Sequence, residues 1–294
     1  MLDIAKEKRA IEYLRLFEPK TEPYYLCYSG GKDSDTIRIL ADLAGVKHDI
    51  VNNHTTVDAP ETVRYIRSIP NVKIQYPEMT MWQLIVHKGM PPTRLMRYCC
   101  AELKEKGGKG RVKITGVRKA ESRAREQNSG LVRIIGKPKT IQSELAQSEN
   151  IDWQITPKGG VVLNTDNAET RQFVERCYRT TSSMINPIVD WEDNDVWEFL
   201  RYYGCKSNPL YEEGFDRIGC IGCPLGGYCS MKREFQRYPK YKENYINAFD
   251  RMIKRRTELG KTTEWKSGEE CFEWWVGDNP FQITLDDYDP DWYL

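Results

Sequence analysis

Residues Ser29-Gly30-Gly31-Lys32-Asp33-Ser34 crowd two glycines, a lysine and two hydroxyls into one turn. The turn follows the apolar run Tyr24-Tyr25-Leu26-Cys27-Tyr28 and precedes a helix-like run over residues 35–44. Glycines let backbone N–H groups converge on an anion, and a helix that starts there adds its positive dipole end. Lys32 adds a mobile cation, and Ser29 and Ser34 add hydroxyl donors. This is the chemistry of a phosphate cradle. The Gly-x4-Gly-Lys-Ser/Thr spacing of the longer Walker loop is absent.

A second constellation is built from cysteine. Cys99 and Cys100 are adjacent, and Cys220 and Cys223 form a Cys-x-x-Cys. Four thiolates in two pairs suit a tetrahedral zinc or a [4Fe-4S] cluster. Adjacent cysteines diverge on an extended backbone and are awkward around one zinc, which favours iron–sulfur. Cys205 and Cys229 flank the later pair, so a quartet of Cys205, Cys220, Cys223 and Cys229 competes. Cys27, Cys177 and Cys271 read as buried apolar residues. His48 and His87 read as structural; His54, at a strand end near the proposed nucleotide, is the one histidine with a plausible site position.

Bulk properties bound the class. The 294 residues suit one large domain, or one domain with an appendage. Apolar runs are too short for a membrane span, and residues 1–15 are charged throughout, unlike a signal peptide. A cytoplasmic location is expected, with the nine cysteines serving metal or redox chemistry rather than disulfides. The net charge of +1 hides segregation. Residues 104–139 carry twelve Lys/Arg against three acids, residues 232–256 nine against three, and residues 269–294 eight acids with no Lys or Arg. Basic stretches interleaved with Phe235, Tyr238, Tyr241 and Tyr245 suit a phosphate backbone, or equally a solvated surface of helical charge pairs.

These groups need elements to hold them. Residues 48–52, 72–76 and 112–117 read as strands; 59–69, 82–86 and 192–203 read as helices. The alternation predicts an α/β fold, a parallel twisted sheet with helices on both faces and ligands beyond the carboxyl ends of its strands. Residues 136–167 read as an excursion at the sheet's edge. A nucleotide-binding α/β domain is expected over 1–207. Residues 208–294 should form a C-terminal region packed on it, with the Cys-x-x-Cys, basic helices and an acidic tail.

Six stretches together resemble the phosphoadenosine phosphosulfate reductase family. They are the Ser29 loop; Val57-Asp58-Ala59-Pro60-Glu61-Thr62; Cys99-Cys100 with Leu103-Lys104; Gly116-Val117-Arg118-Lys119-Ala120-Glu121-Ser122-Arg123; Asn186-Pro187-Ile188-Val189-Asp190-Trp191 leading to Asp195-Val196-Trp197; and Asn208-Pro209-Leu210-Tyr211 with Gly219-Cys220 and Cys223. The loop itself is similar to that of the pyrophosphate-loop ATP-pyrophosphatase superfamily, with its adenine-nucleotide α-hydrolase-like fold. The resemblance implies that Ser29, Gly30, Gly31, Lys32, Asp33 and Ser34 hold the phosphates of ATP. It implies that Arg118, Glu121 and Arg123 line the same pocket. It also implies that Cys99, Cys100, Cys220 and Cys223 bind a [4Fe-4S] cluster, as in the adenylylsulfate reductases.

Two departures point away from sulfate reduction. The Glu-Cys-Gly-Leu-His motif of the sulfonucleotide reductases is missing, with only Cys271 near the C-terminal end. The phosphate loop is intact, where those reductases typically carry an eroded one. A third departure, His54-Thr55-Thr56 in place of the family's frequent Asp-Thr-Gly, leaves adenine contacts open.

The expectation is therefore an ATP pyrophosphatase-type iron–sulfur sulfurtransferase. Mg2+ near Asp33 would offset pyrophosphate charge, and Lys32 and Arg118 would stabilise the transition state. Sulfur would come from a cysteine desulfurase or another persulfide donor. The acceptor could be a nucleic acid, as in DNA phosphorothioation or tRNA thiolation, and an oligomer is compatible with the sequence. One alternative is a sulfonucleotide reductase using Cys271 or a partner thiol. Another is a non-catalytic ATP-binding subunit whose Trp265, Trp274, Trp275 and Trp292 dock partners.

Overall fold

The structure, a computed structural model, describes residues 2–136, 138–157 and 160–277. Trp292 and most of the acidic stretch lie outside the described residues. The chain divides into two units, each assembled from separated segments. The first comprises residues 2–53, Glu61–Gln75 and the described residues of Gly107–Ile218. The second comprises His54–Pro60, Tyr76–Lys106 and the described residues from Gly219 onward. This differs from a contiguous division at 207/208. Asp58 bridges to Cys220 as an isolated antiparallel pair, Ile221 N–H donates to the Val57 carbonyl at 2.8 Å, and Trp275 Nε1 donates to the Pro92 carbonyl at 2.6 Å. Such pairings join residues over a hundred positions apart, and no local periodicity reveals them.

The first unit is an eight-stranded sheet: β1 (Tyr24–Cys27), β2 (His48–Asn53), β3 (Lys73–Gln75), β4 (Lys113–Ile114), β5 (Val132–Ile135), β6 (Trp153–Ile155), β7 (Val161–Leu163) and β8 (Ser182–Ile185). Their order is β3-β2-β1-β4-β8-β5-β7-β6. The five strands from β3 to β8 run parallel, with Leu26 opposite Ile50 on one side and Ile114 on the other. β5, β7 and β6 extend the sheet antiparallel beyond β8, so the 136–167 excursion does occupy an edge. A central parallel strand is covered on both faces, which is why β1 reads as a continuous apolar run rather than an alternating one. Leu14, Leu26, Ile37, Leu40, Ile114 and Phe199 belong to one buried core.

The strand read over 112–117 is shorter than its sequence suggests. Only Lys113–Ile114 joins the ladder as β4. At Gly116 the chain closes on the first turn of the Lys32–Ala44 helix, where a Cβ would stand 2.9 Å from Asp33 Cβ. That approach, open only to glycine, delivers Arg118 to Asp33.

The second unit is helical. Pro239–Glu258 packs against Met81–Lys88 and Gly268–Val276. Tyr245 centres an aromatic core, with ring centroids 4.7 Å from Trp82, 5.5 Å from Phe235 and 4.7 Å from Trp275. Such edge and tilted contacts add to the area each ring buries. Trp275 is fully buried here, so it is a core residue and offers no surface to a partner. Trp265 and Trp274 lie against each other, half-buried, at 4.9 Å. Among the described residues no helix is long and apolar enough to cross a membrane.

Candidate nucleotide site and cysteine cavity

The Ser29–Ser34 turn lies just past the carboxyl end of β1, and the Lys32–Ala44 helix starts within it. Ser34 Oγ accepts from Gly31 N–H at 3.1 Å and donates to the Gly31 carbonyl at 2.8 Å, so the hydroxyl ties the loop to the first helical turn. Ser29 Oγ sits 3.4 Å from Ser34 Oγ. Lys32 Nζ lies 6.0 Å from the Trp197 ring centre, 5.8 Å from that of Tyr211, and 3.7 Å from Asp193 Oδ1. The Lys32 backbone N–H donates to Tyr211 Oη at 2.8 Å.

Arg118 is almost wholly buried and every donor group on it is engaged. Nε donates to Asp33 Oδ1 at 2.7 Å, Nη1 to the Trp191 carbonyl at 3.2 Å, and Nη2 to Asp193 Oδ1 at 2.5 Å. Glu121 Oε1 accepts from the Arg118 backbone N–H at 2.9 Å and fixes the turn that presents it. Arg123 begins the next helix, Arg123–Asn128, exposed and without a partner among the described residues.

Two carboxylates that share one guanidinium respond in opposite directions. Burial raises the Asp33 carboxyl above its ordinary value despite the charges of Arg118 and Lys32. Asp193 is more open; its partial burial is outweighed by the Arg118 hydrogen bond and the Lys32 charge, which hold it below the ordinary value.

Asp193 and Tyr211 escaped the sequence reading. Asp193 opens a helix, where an acidic residue ordinarily complements the dipole. Tyr211 closes the Asn208-Pro209-Leu210-Tyr211 motif, but nothing in its spacing announces a contact with the loop.

In the second unit, Cys99, Cys100, Cys220 and Cys223 line one cavity together with Thr55, Lys104 and Tyr245. Cys99 and Cys100 are supplied by the Tyr98–Leu103 helix. Cys220 and Cys223 come from the turn that pairs with residue 58. Gly222, between them, has φ 73°, and a Cβ there would lie 2.6 Å from Phe235 Cζ, so the turn rests directly on the aromatic core. The neighbouring thiols share a hydrogen bond, which lowers Cys100 and raises Cys99; Arg97 and Lys104 add to the lowering of Cys100. Lys104, exposed over part of its surface, is pushed above the usual lysine range by Cys220 first, then by Asp58, Cys223 and Cys100. Among the described residues, no three His, Cys, Asp or Glu side chains are grouped to hold a single metal ion.

The remaining cysteines stand elsewhere. Cys229 is exposed on the Tyr228–Arg237 helix, and Cys205 lies against the first unit's core. Cys177 and Cys271 are buried, as their apolar reading requires, and Cys27 is half-buried. Burial also raises the Cys271 thiol well above its usual value. His54 belongs to the second unit, with Nδ1 3.1 Å from Asp58 Oδ2 and its ring edge-on to Tyr76. On the same unit, Arg251, Lys254 and Arg255 surround an open concavity of about 460 Å³ with Val86, Glu258 and Leu259.

A mostly parallel sheet flanked by helices, whose central strand feeds a glycine-bearing turn at a helix N-terminus, defines an adenine-nucleotide α-hydrolase-like fold. The chain belongs to the phosphoadenosine phosphosulfate reductase domain family, which matches residues 23–225. It is 26% identical over 256 residues to the Methanocaldococcus jannaschii protein MJ0066, covering 83% of this chain and 45% of that protein. A shorter match, 44% identical over 39 residues, is to the adenosine 5'-phosphosulfate reductase of Allochromatium vinosum, covering 13% of this chain and 15% of that enzyme. The crystal structure of the phosphoadenylyl-sulfate reductase of Candida auris matches at 16% identity and a TM-score of 0.41, over 72% of this chain and 87% of that one. The chain spans about half the length of the first two curated relatives it matches.

Proposed function

We propose that this protein is an ATP-dependent sulfur-transfer enzyme that splits ATP between its α- and β-phosphates. The observation that carries the reading is the intact Ser29–Ser34 turn at the head of the Lys32–Ala44 helix, with Lys32 and Arg118 held beside it. An oxygen of the acceptor attacks the α-phosphorus, the α–β bond breaks, and pyrophosphate leaves with the electron pair of that bond. The terminal sulfur of a donor persulfide then attacks the adenylated centre and AMP departs, leaving a disulfide between acceptor and donor. A second donor thiol attacks the donor's sulfur, breaks the S–S bond and leaves the outer sulfur on the acceptor, so one ATP and one donor thiol are used per sulfur delivered. The loop amides and Lys32 offset charge on the leaving pyrophosphate. Arg118 acts by fixing Asp33 and Asp193. These carboxylates are the hard oxygen donors that would hold Mg2+, which supplies further charge neutralisation on the phosphates.

The donor set of the second unit fits a [4Fe-4S] cluster. Four thiols spread around one cavity suit a cubane whose irons each take one cysteine, and the positive Lys104 suits its net negative charge. Cys99, Cys100, Cys220 and Cys223 would hold it, and bound there it would supply redox or electrostatic chemistry. The acceptor we favour is a nucleic acid, supported by the cationic concavity of Arg251, Lys254 and Arg255. The sulfonucleotide reductase reading draws on the adenosine 5'-phosphosulfate reductases among the relatives, but Cys271 is buried with a raised thiol pKa, the reverse of an attacking thiolate.

The test uses anaerobically prepared full-length protein. Wild type should release pyrophosphate and AMP from ATP when acceptor and sulfur donor are present, and Lys32→Ala should lose at least a hundred-fold in rate. Sulfite release from a sulfonucleotide, without ATP turnover, would replace this reading with the reductase.

A further inference from the structure

The 3-10 turn Pro209–Tyr211 lies directly on the phosphate loop. Asn208 Nδ2 donates to the Gly30 carbonyl at 3.1 Å and to Thr62 Oγ1 at 3.0 Å, and both atoms of the pair are buried. Asn208 Oδ1 accepts from Leu210 N–H at 3.1 Å, which fixes the turn. The anchored turn brings Tyr211 Oη within 2.8 Å of the Lys32 backbone nitrogen, and a Cβ on Gly31 would be 3.2 Å from the same oxygen. The Tyr211 ring stands edge-on to Trp197 at 4.9 Å.

Lys32 is the first residue of its helix, so its N–H is one of the donors that the helix cannot satisfy internally. In a phosphate cradle that donor points at the anion. Here a neutral phenol oxygen takes the bond. We infer that the Tyr211 hydroxyl is a stand-in for a phosphate oxygen: it keeps the Lys32 amide satisfied in the resting protein and is displaced when the pyrophosphate end of a nucleotide arrives. The inference rests on the proposed ATP-binding reading and assigns Tyr211 a role that sets phosphate affinity.

Displacement exchanges a neutral acceptor for a charged one, and the charge-assisted bond is the stronger. The phenol therefore lowers affinity without blocking the site. It also prevents the loop from burying an unpartnered N–H when empty, which would cost free energy. Burial holds the Tyr211 hydroxyl pKa above its ordinary value, so it remains a neutral phenol through the physiological range.

The experiment is titration calorimetry of the full chain with inorganic pyrophosphate and with ATP, comparing wild type, Tyr211→Phe and Lys32→Ala. Tyr211→Phe keeps the ring against Trp197 and removes only the competing oxygen. It should bind both ligands roughly two- to ten-fold more tightly, the range expected for releasing one neutral hydrogen bond. Unchanged or weaker binding overturns the inference, because the hydroxyl would then be either packing or a phosphate ligand. Wild type that binds neither ligand removes the ATP reading and the inference together, whereas binding that Lys32→Ala abolishes and Tyr211→Phe leaves unchanged removes only the inference. Amide exchange in wild type supplies a second reading should the variant not fold. Pyrophosphate should speed exchange over residues 208–214 as the turn is released, and slower exchange overturns the inference.

Discussion

Arg118 holds two carboxylates and a carbonyl at once, so its guanidinium works as a brace. A planar fork with donors on several edges can do this, and a lysine cannot. One consequence is a pH dependence that can be assigned to a single group. Asp193 has a depressed pKa in the folded chain, against an ordinary value of 3.8. Its stabilising contribution is complete above that value and is lost as pH falls through the depressed one. Asp193→Asn should therefore narrow the difference in melting temperature between pH 6 and pH 3 relative to wild type. An equal acid loss in both proteins would mean that the Arg118 pair carries none of it. The effect should be modest, because the Asp193 side chain is 68% exposed and solvent screens the pair.

At the scale of elements, two turns depend on glycines that admit close neighbours. Gly116 lets the end of β4 reach the Lys32–Ala44 helix, and Gly222 seats the Cys220–Cys223 turn on Phe235 and Trp275. Alanine at 222 would combine a positive φ with a Cβ 2.6 Å from an aromatic carbon. If the four cysteines hold the proposed cluster, Gly222→Ala should lower iron per chain several-fold in anaerobically prepared protein, read by iron assay and visible absorbance. Cys205→Ser, prepared alongside, should keep its iron, since Cys205 does not line the four-cysteine cavity. Full iron in the Gly222 variant, or loss in the Cys205 variant, would count against the four cysteines named here. Element identity was largely legible in the sequence. β1, β2 and the helices Pro60–Ser68 and Asp193–Tyr202 fall within a few residues of their expected bounds, because a 2- or 3.6-residue period is a local property. β4 was the exception, shortened by a contact made across the fold rather than along the strand.

For the molecule as a whole, charge matters more than any single ion pair. Net charge is +1, yet Arg251, Lys254 and Arg255 share one exposed helix face around a concavity. If a nucleic acid is the acceptor, these side chains release condensed counterions when they meet its phosphates. Replacing all three with Gln should weaken binding and flatten the log–log salt dependence by about two to three units, since each phosphate contact contributes nearly one. An unchanged slope in fluorescence anisotropy would place the acceptor on another surface. ATP binding should survive the triple change, as none of the three residues belongs to the unit that carries the loop.

The sequence by itself determined the glycine-bearing strand-to-helix turn, the two cysteine pairs and the mostly parallel sheet, because each is written in neighbouring residues whose types and spacing carry the pattern. It could not show that Cys99, Cys100, Cys220 and Cys223 line one cavity, divide the chain into its two interleaved units, or find Asp193 and Tyr211 beside Lys32. Those outcomes depend on contacts between segments a hundred or more residues apart, which only the folded chain brings within hydrogen-bond or van der Waals reach.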